Sequence, residues 1–172
     1  MPKEIAHLTL AANLMEKLPS TSLFHDPVKK HSNVFLYGSI APDTPLYYFI
    51  GPHSIFIQNL GLSLHTSNVS SLFPILLFLS RLKKDPDALA FIAGICCHIL
   101  TDTIFHPMIY YFSGMDNIHK GATTRHRAFE TALDYHFLPL LKDKKRTLLF
   151  NIYNQFNLPR GRFRILFQKL FQ

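Results

Sequence analysis

The sequence predicts an all-α protein built as a multi-helix bundle. Apolar residues recur at three- and four-residue intervals along most of the chain, which is the period of helices that bury one face. In two of these segments histidine and carboxylate side chains also recur every four residues, so each set shares one helix face. The first set is His98, Asp102 and His106, and the second is His126, Glu130 and Asp134.

Length and composition indicate a single globular domain. The chain has 172 residues, of which 48% are apolar and 17% charged, a balance that supports a substantial core and argues against disorder. The longest apolar stretches, residues 72–79 and 88–100, are too short to span a bilayer. Glu4 and His7 interrupt the N-terminal apolar residues, so no signal-peptide layout is present. We therefore expect a cytoplasmic protein.

Positive charge is concentrated at the C-terminal end. Residues 142–172 hold eight Lys or Arg and one acid, whereas residues 1–141 hold ten of each. We therefore divide the chain into a helical metal-binding domain, residues 1–141, and a basic amphipathic helical tail, residues 142–172, packed on it or extending from it. A basic tail suits a phosphate-bearing partner, namely an anionic membrane surface or, as a less favoured choice, nucleic acid. A simple solvated face is the alternative.

The expected helices of the N-terminal half follow from their caps and breakers. The first covers residues 4–18 and ends at Pro19; the second starts at Asp26-Pro27 and runs through Leu36. A loop with Gly and Pro, residues 37–43, leads to a short helix within residues 49–65 and then to an apolar helix over residues 70–84.

The expected helices of the C-terminal half begin with the best-marked start in the chain, Asp85-Pro86-Asp87. That helix should end near His106, because Pro107 disfavours helical backbone in the residue before it. Its nearly all-apolar run suits the centre of a bundle. We then expect a loop over residues 110–122, a helix capped by Thr123 or Thr124 that ends near Leu138, and two basic amphipathic helices over residues 142–158 and 162–171.

Polar side chains on buried helix faces need partners. One buried histidine is usually structural, but two four-spaced sets facing one interior favour metal ions. Imidazole and carboxylate ligands without thiolate suit zinc, and also manganese, iron or nickel. Two or three such ions bind a phosphate ester, lower the pKa of a bridging water and stabilise an in-line displacement. A di-iron bundle is disfavoured, since it uses Glu-x-x-His pairs and this chain has only three Glu in all.

Five sequence features occur in a fixed order: His7, GSIAPD at 38–43, LGLSLH at 60–65, CHILTDTIFHP at 97–107 and HRAFETALD at 126–134. Together they resemble the zinc-dependent phospholipase C family, whose superfamily also includes single-strand-specific zinc nucleases. The resemblance covers roughly residues 3–138. It implies an all-helical domain with a metal cluster in a cleft.

Carried over position by position, the resemblance implies two zinc ions, with a third if His7 is a ligand. The first ion would be held by Asp43, His65, His98 and Asp102. The second would be held by His106, His126 and Glu130. The third would be held by His7, with Asp102 as a bridge. Asp43 also corresponds to the family's candidate general base. We expect Asp134 to orient a ligand without binding metal itself. For Arg125 and Arg127, solvated surface charge is the favoured interpretation, and contact with a substrate phosphate is the alternative.

Two departures from the family pattern bear on this assignment. Secreted members supply a third-zinc ligand from a mature N-terminal Trp, and this chain contains no Trp. Members also commonly continue beyond this length, whereas here the residues after Leu141 form the basic tail. The family pattern therefore predicts the third zinc site and the wall of the substrate cleft less well than it predicts the other two zinc sites.

The sequence thus predicts a metal-dependent phosphodiester hydrolase of phospholipase C type, in which a metal-bound water attacks a phosphate ester. One alternative is a non-catalytic metal-binding helical module that docks on a membrane or a partner through the basic tail. The other is a single-strand nuclease or another phosphohydrolase. For a nuclease, the stacking aromatic residues beside the site would be Tyr47, Tyr48, Tyr110 and Tyr111.

Overall fold

The computed structural model describes residues 4–65, 85–115 and 119–140, and within these ranges the chain forms helices and no β strand. The predicted all-α fold is confirmed. The expected helix over residues 70–84 and the basic tail, residues 142–172, lie outside the described residues. The helices are α1 (Glu4–Lys17), α2 (His25–Lys30), α3 (Ser32–Gly38), α4 (Ser54–His65), α5 (Pro86–Ser113) and α6 (Ala122–Phe137), with 3₁₀ turns at Thr44–Tyr47 and Leu138–Leu140.

Helix α5 is the central element, and α1, α2, α3 and α6 pack around it. Its start follows the sequence closely: Asp85 is the N-cap, its carboxylate accepts a hydrogen bond from the Ala88 N–H at 3.2 Å, and Pro86 occupies the first turn. The N-terminal half of α5 is buried nearly all round. Phe91 is fully buried and Ile92 is 1% exposed, and both pack in a core with Leu8 of α1, Val28 of α2 and Phe35 of α3.

Helices α3 and α5 cross with their backbones in direct contact at Gly38 and Gly94. A Cβ atom added to Gly94 would lie 2.2 Å from the Phe35 carbonyl oxygen, and one added to Gly38 would lie 2.3 Å from the Phe91 carbonyl oxygen. Since both obstacles are backbone atoms, no side-chain rotation can relieve the overlap. The two glycines therefore set the distance between α3 and α5, and with it the position of the segment that follows α3.

Pro107 lies inside α5, so the expected helix end near His106 is wrong. Proline removes one backbone hydrogen bond, but tertiary contacts hold the next turns in place. Ile109 is buried, and the Ser113 carbonyl accepts a hydrogen bond from Arg125 Nε at 2.8 Å. Gly114, with φ of +74°, then ends the helix in the left-handed conformation. The expected loop over residues 110–122 accordingly begins only at Gly114.

Two other expected boundaries differ in the structure. The single helix expected between Asp26 and Leu36 is the pair α2 and α3, divided at His31, whose side chain pairs with Asp87 at the start of α5. That tertiary contact was invisible in the local pattern. Helix α6 begins at Ala122, after Gly121 with φ of +79°, and is capped by neither Thr123 nor Thr124. The first helix agrees with its expected range to within one residue at its C-terminal end.

By length and composition alone, helix α5 as a whole could cross a membrane. The uninterrupted apolar run within it, residues 88–100, is too short to do so. Within its most apolar window 56% of the residues are buried inside the protein, and the core helix of a globular protein meets the same criterion. Packing of the N-terminal half of α5 against other helices accounts for the buried part of this apolar character, whereas Leu100, Ile104 and Tyr111 in its C-terminal half are 54%, 70% and 73% exposed.

The crossing of α3 and α5 gives a first prediction. Replacing Gly94 by Ala should lower the free energy of unfolding by about 1–3 kcal/mol, because the new methyl group forces the two backbones apart. Chemical denaturation followed by circular dichroism measures this change. Thr103→Ala, on the exposed face of the same helix, should change stability by less than about 0.5 kcal/mol. Equal effects of the two substitutions would contradict the role assigned to the glycine contact.

Candidate metal centre

The structure brings together all eight side chains that were predicted as metal ligands. They come from four parts of the chain: α1, the segment after α3 with the end of α4, the middle of α5, and α6. In each of three groups the ligand atoms lie within 4.8 Å of one another, so that each group is suited to hold a metal ion; two of the groups share His98. The groups are His7, His98 and Asp102; Asp43, His65 and His98; and His106, His126 and Glu130.

The deepest group surrounds His65 Nε2. This atom lies 2.8 Å from Asp43 Oδ1, 3.2 Å from His98 Nε2 and 3.8 Å from Asp102 Oδ2. His98 Nε2 lies 3.3 Å from Asp102 Oδ2. Atoms bound about 2.0–2.1 Å from one tetrahedral zinc ion are about 3.3–3.4 Å apart. These separations scatter around that value, and Asp43, His65 and His98 form one group suited to a shared ion, with Asp102 beside it.

The tautomers of the two histidines strengthen this interpretation. His98 Nδ1 lies 2.9 Å from the Ser39 carbonyl oxygen, and His65 Nδ1 lies 2.7 Å from the Gly61 carbonyl oxygen. A carbonyl only accepts, so each Nδ1 carries a hydrogen and each Nε2 is turned toward the centre. Burial alone would lower the pKa of His65, but the hydrogen bond with Asp43 and its negative charge raise that pKa. The two Nε2 atoms thus face the carboxylates of Asp43 and Asp102, an arrangement suited to a shared cation.

Asp102 connects the parts of the centre through its two oxygens. Oδ2 faces His98 and His65, whereas Oδ1 lies 3.3 Å from His7 Nε2 and 3.7 Å from His106 Nε2. Burial alone would raise the pKa of Asp102, but the neighbouring imidazoles of His7 and His98 hold that pKa well below its usual range. Asp102 is therefore an ionised carboxylate that links the neighbouring groups of the centre.

The group nearer the surface consists of His106, His126 and Glu130. Glu130 Oε1 lies 2.6 Å from His126 Nε2 and 3.6 Å from His106 Nε2. The ring of Tyr110 stacks on both imidazoles, with centroids 5.1 Å from His106 and 5.3 Å from His126. The sequence suggests this tyrosine as a core residue or a nucleic-acid stacking residue, and its place one turn after His106 indicates the helix face that carries the ligands.

His7 reaches the centre from α1 and stacks on His98, with ring centroids 4.0 Å apart. Burial and the neighbouring His98 lower the pKa of His7, so its ring is held neutral. His7 Nδ1 is buried without a hydrogen-bond partner among the described residues. The position of this ring is set by stacking and by the path of α1 rather than by a bond to its own Nδ1.

Asp134 fixes the start of α1. Its carboxylate accepts hydrogen bonds from the N–H groups of Ala6 at 2.9 Å and Ile5 at 3.3 Å, which helix α1 leaves without internal acceptors. Burial raises the pKa of Asp134 to about 6, and the negative charges of Asp43 and Glu130 act in the same direction. Asp134 thus holds the backbone next to His7, a contact between the first and last described helices that sequence spacing alone did not reveal.

An open cleft of about 300 Å³ exposes one side of the centre. Its polar lining comes from His7, Asp102, His106, Glu130 and Asp134, and its apolar lining includes Phe105, Ile109 and Leu133. On the other side Asp43 is fully buried and His98 is only 1% exposed. The centre therefore has an enclosed half and a half that a substrate can approach.

The two arginines proposed to contact a phosphate lie elsewhere. Arg125 donates from Nε to the Ser113 carbonyl and from Nη1 to the Lys120 carbonyl at 3.1 Å, so its guanidinium joins the ends of α5 and α6. Arg127 is exposed on α6. Neither side chain lines the cleft, and their contact with a substrate stays a prediction.

The facing Nε2 atoms of His65 and His98 give a second prediction. Zinc should bind the purified protein and raise its unfolding temperature, because it binds the folded centre. Substituting either histidine by Ala should weaken zinc binding by more than the roughly 10–100-fold seen when an outer hydrogen-bond partner is lost. Competition with a chromophoric chelator measures the affinity. His53→Ala is the matched control, since His53 is exposed in a loop; a similar loss there would argue against the centre.

The contact between Asp134 and α1 gives a third prediction. Asp134→Ala should lower the free energy of unfolding by about 1–2 kcal/mol, because two helix-start N–H groups lose their acceptor. It should also weaken metal binding about 10–100-fold through displacement of His7. Asp134→Asn keeps one acceptor oxygen, so its free energy of unfolding and its metal affinity should both lie between those of Asp134→Ala and the wild type. Wild-type metal affinity in Asp134→Ala would show that His7 does not depend on this contact.

Comparison with known proteins agrees with the geometry. A family model described as zinc dependent phospholipase C matches residues 6–171. The match therefore includes the basic segment after Leu141, which the motifs had left outside the resemblance. Neither a curated protein nor a solved structure matches the chain. A match over nearly the whole sequence, together with the convergence of the histidines and carboxylates, confirms the resemblance: the chain belongs to the zinc-dependent phospholipase C family.

Proposed function

We propose that the protein is a metal-dependent phosphodiester hydrolase of phospholipase C type. The observation that carries the proposal is the set of four candidate ligand atoms facing one another around His65 and His98, joined through Asp102 to a second group at an open cleft. The family membership supports a hydrolase of this class and a phospholipid or other phosphate-ester substrate.

The proposed cofactor is zinc, with one ion among Asp43, His65, His98 and Asp102 and another among His106, His126 and Glu130. A third ion would lie between His7 and Asp102. Bound at these positions, the ions would supply positive charge for the phosphate oxygens and lower the pKa of a coordinated water. Because Asp102 directs one oxygen to each side, it fixes the separation between the enclosed and the open parts of the centre.

The chain's own residues would orient the substrate at the open side. The phosphate group of the substrate would enter the cleft beside His106 and Glu130. Phe105, Ile109 and Leu133 would then contact the apolar groups esterified to that phosphate. Burial of the opposite half excludes bulk water from Asp43 and His98, which strengthens electrostatic interactions there. Asp43 contacts His65 directly, so we assign it as a metal ligand. Its further assignment as the base toward the attacking water rests on the family resemblance, since Asp43 is fully buried and does not line the cleft.

A turnover assay tests the proposal. Zinc-loaded protein should hydrolyse p-nitrophenylphosphorylcholine, a soluble phosphodiester, and His98→Ala should abolish this activity. Asp43→Asn should reduce kcat by about 10²–10⁴-fold if Asp43 acts as a base, with metal content measured in parallel to detect loss of a ligand. His53→Ala serves as the control. Absence of turnover with zinc, manganese, iron or nickel would support a non-catalytic metal-binding module instead.

A single-stranded oligonucleotide in the same assay tests the nuclease alternative. Of the four tyrosines named for this alternative, Tyr110 stacks on the imidazoles of the centre and the hydroxyl of Tyr47 donates to the carboxylate of Glu4, whereas Tyr48 and Tyr111 are exposed. Preferential cleavage of the oligonucleotide would overturn the phospholipase assignment while leaving the metal centre intact.

A further inference from the structure

An exposed apolar surface lies on the segment between two residues of the metal centre. From Thr44 through Ser80 the sequence contains no Asp, Glu, Lys or Arg. In the described part of this run, Ile50 is 90% exposed, Ile55 76% and Phe56 70%. We call the exposed apolar residues of the described part of this segment the apolar ridge; they are Tyr47, Tyr48, Phe49, Ile50, Ile55, Phe56 and Leu62.

The ridge belongs to an ordered unit of α4 and the preceding turn. Gln58 Nε2 donates a hydrogen bond to the Tyr48 carbonyl at 2.9 Å, which joins α4 to the loop. Gly61 lies so close to Leu46 that an added Cβ would be 2.8 Å from its side chain, so turn and helix pack tightly. Pro45 is buried while the ridge faces outward. Large apolar side chains are therefore held at the surface instead of folding inward.

The ridge is attached to the metal centre at both ends. Its segment begins directly after Asp43 and ends at His65, whose side chains lie 2.8 Å apart. Ile55, Asn59 and Leu62 are spaced to lie on one face of α4, and all three are exposed. Leu62 lies within one turn of His65. The exposed face of α4 thus extends from the loop to the edge of the centre.

We propose that the apolar ridge docks on the surface of a phospholipid bilayer through apolar contacts, without a contribution from charge. Several large apolar side chains exposed on one short segment indicate an interaction site, and the absence of Asp, Glu, Lys and Arg from that segment suits insertion at the boundary between lipid headgroups and acyl chains. An apolar helix face lying in the plane of the membrane is buried to about 5–10 Å. Tyr48, with an apolar ring and a polar hydroxyl, suits the membrane–water boundary.

This inference rests on the proposed function for the choice of phospholipid as partner. It differs from docking through the basic tail in a measurable way, because electrostatic attraction is screened by salt whereas apolar burial is not. Docking through the ridge would place the segment from Asp43 to His65 against the lipid, and so bring the metal centre to its substrate.

Flotation of the full-length protein with phosphatidylcholine vesicles tests the proposal. Binding should persist at about 0.5 M sodium chloride, where exposed charges are screened. Ile50→Ser and Phe56→Ser should each weaken binding about tenfold or more, as expected for loss of one buried apolar side chain. Leu23→Ser is the matched control, since Leu23 is 64% exposed between α1 and α2; it should bind as the wild type does. Circular dichroism verifies folding of each variant.

Binding that disappears in salt, or equal losses in Leu23→Ser and Ile50→Ser, would overturn the proposal. So would size-exclusion chromatography showing a dimer that Ile50→Ser dissociates, because a second copy would then cover the ridge. Turnover of the soluble phosphodiester should be unchanged in Ile50→Ser. If soluble turnover is absent from the wild type while salt-resistant binding depends on Ile50, the proposed function fails and the docking surface stands.

Discussion

The contact between the backbones of α3 and α5 at Gly38 and Gly94 is the constraint on which the metal centre depends. No side chain separates the two helices there, since any Cβ would overlap a carbonyl oxygen. The residue after Gly38 is consequently close enough for its carbonyl to accept the Nδ1 hydrogen of His98. That hydrogen bond selects the tautomer of His98 and directs Nε2 toward His65 and Asp43. A packing requirement in the core thus decides which nitrogen is available as a ligand.

The centre concentrates acceptor atoms at the cost of mutual repulsion. Asp43, Asp102 and Glu130 are brought into one partly buried region, and burial, together with the negative charges of Asp43 and Glu130, raises the pKa of Asp134 to about 6. Carboxylates in such surroundings are stabilised by cations, so metal binding and folding should be thermodynamically coupled. Helix α1 takes part in this coupling, because Asp134 holds its first turn and His7 stacks on His98.

The enclosed and open halves of the centre have different structural origins. The enclosed half is formed where the segment after α3 and the end of α4 meet the buried face of α5, and the open half is formed where α5 and α6 diverge beside α1. Asp102 belongs to both. The apolar ridge projects from the segment that supplies Asp43 and His65, so the part of the chain that closes the enclosed half also carries the exposed apolar surface.

The sequence by itself determined the helical class, the start of α5 at Asp85-Pro86, and the sharing of one helix face by His98, Asp102 and His106, because these follow from caps and from a period of 3.6 residues. Motif order identified the eight candidate ligands. Tertiary structure decided the continuation of α5 through Pro107, the division of α2 from α3 at His31, and the roles of Asp134, Tyr110 and Arg125. Those features depend on contacts between residues distant along the chain, and local periodicity carries no information about which helix faces which.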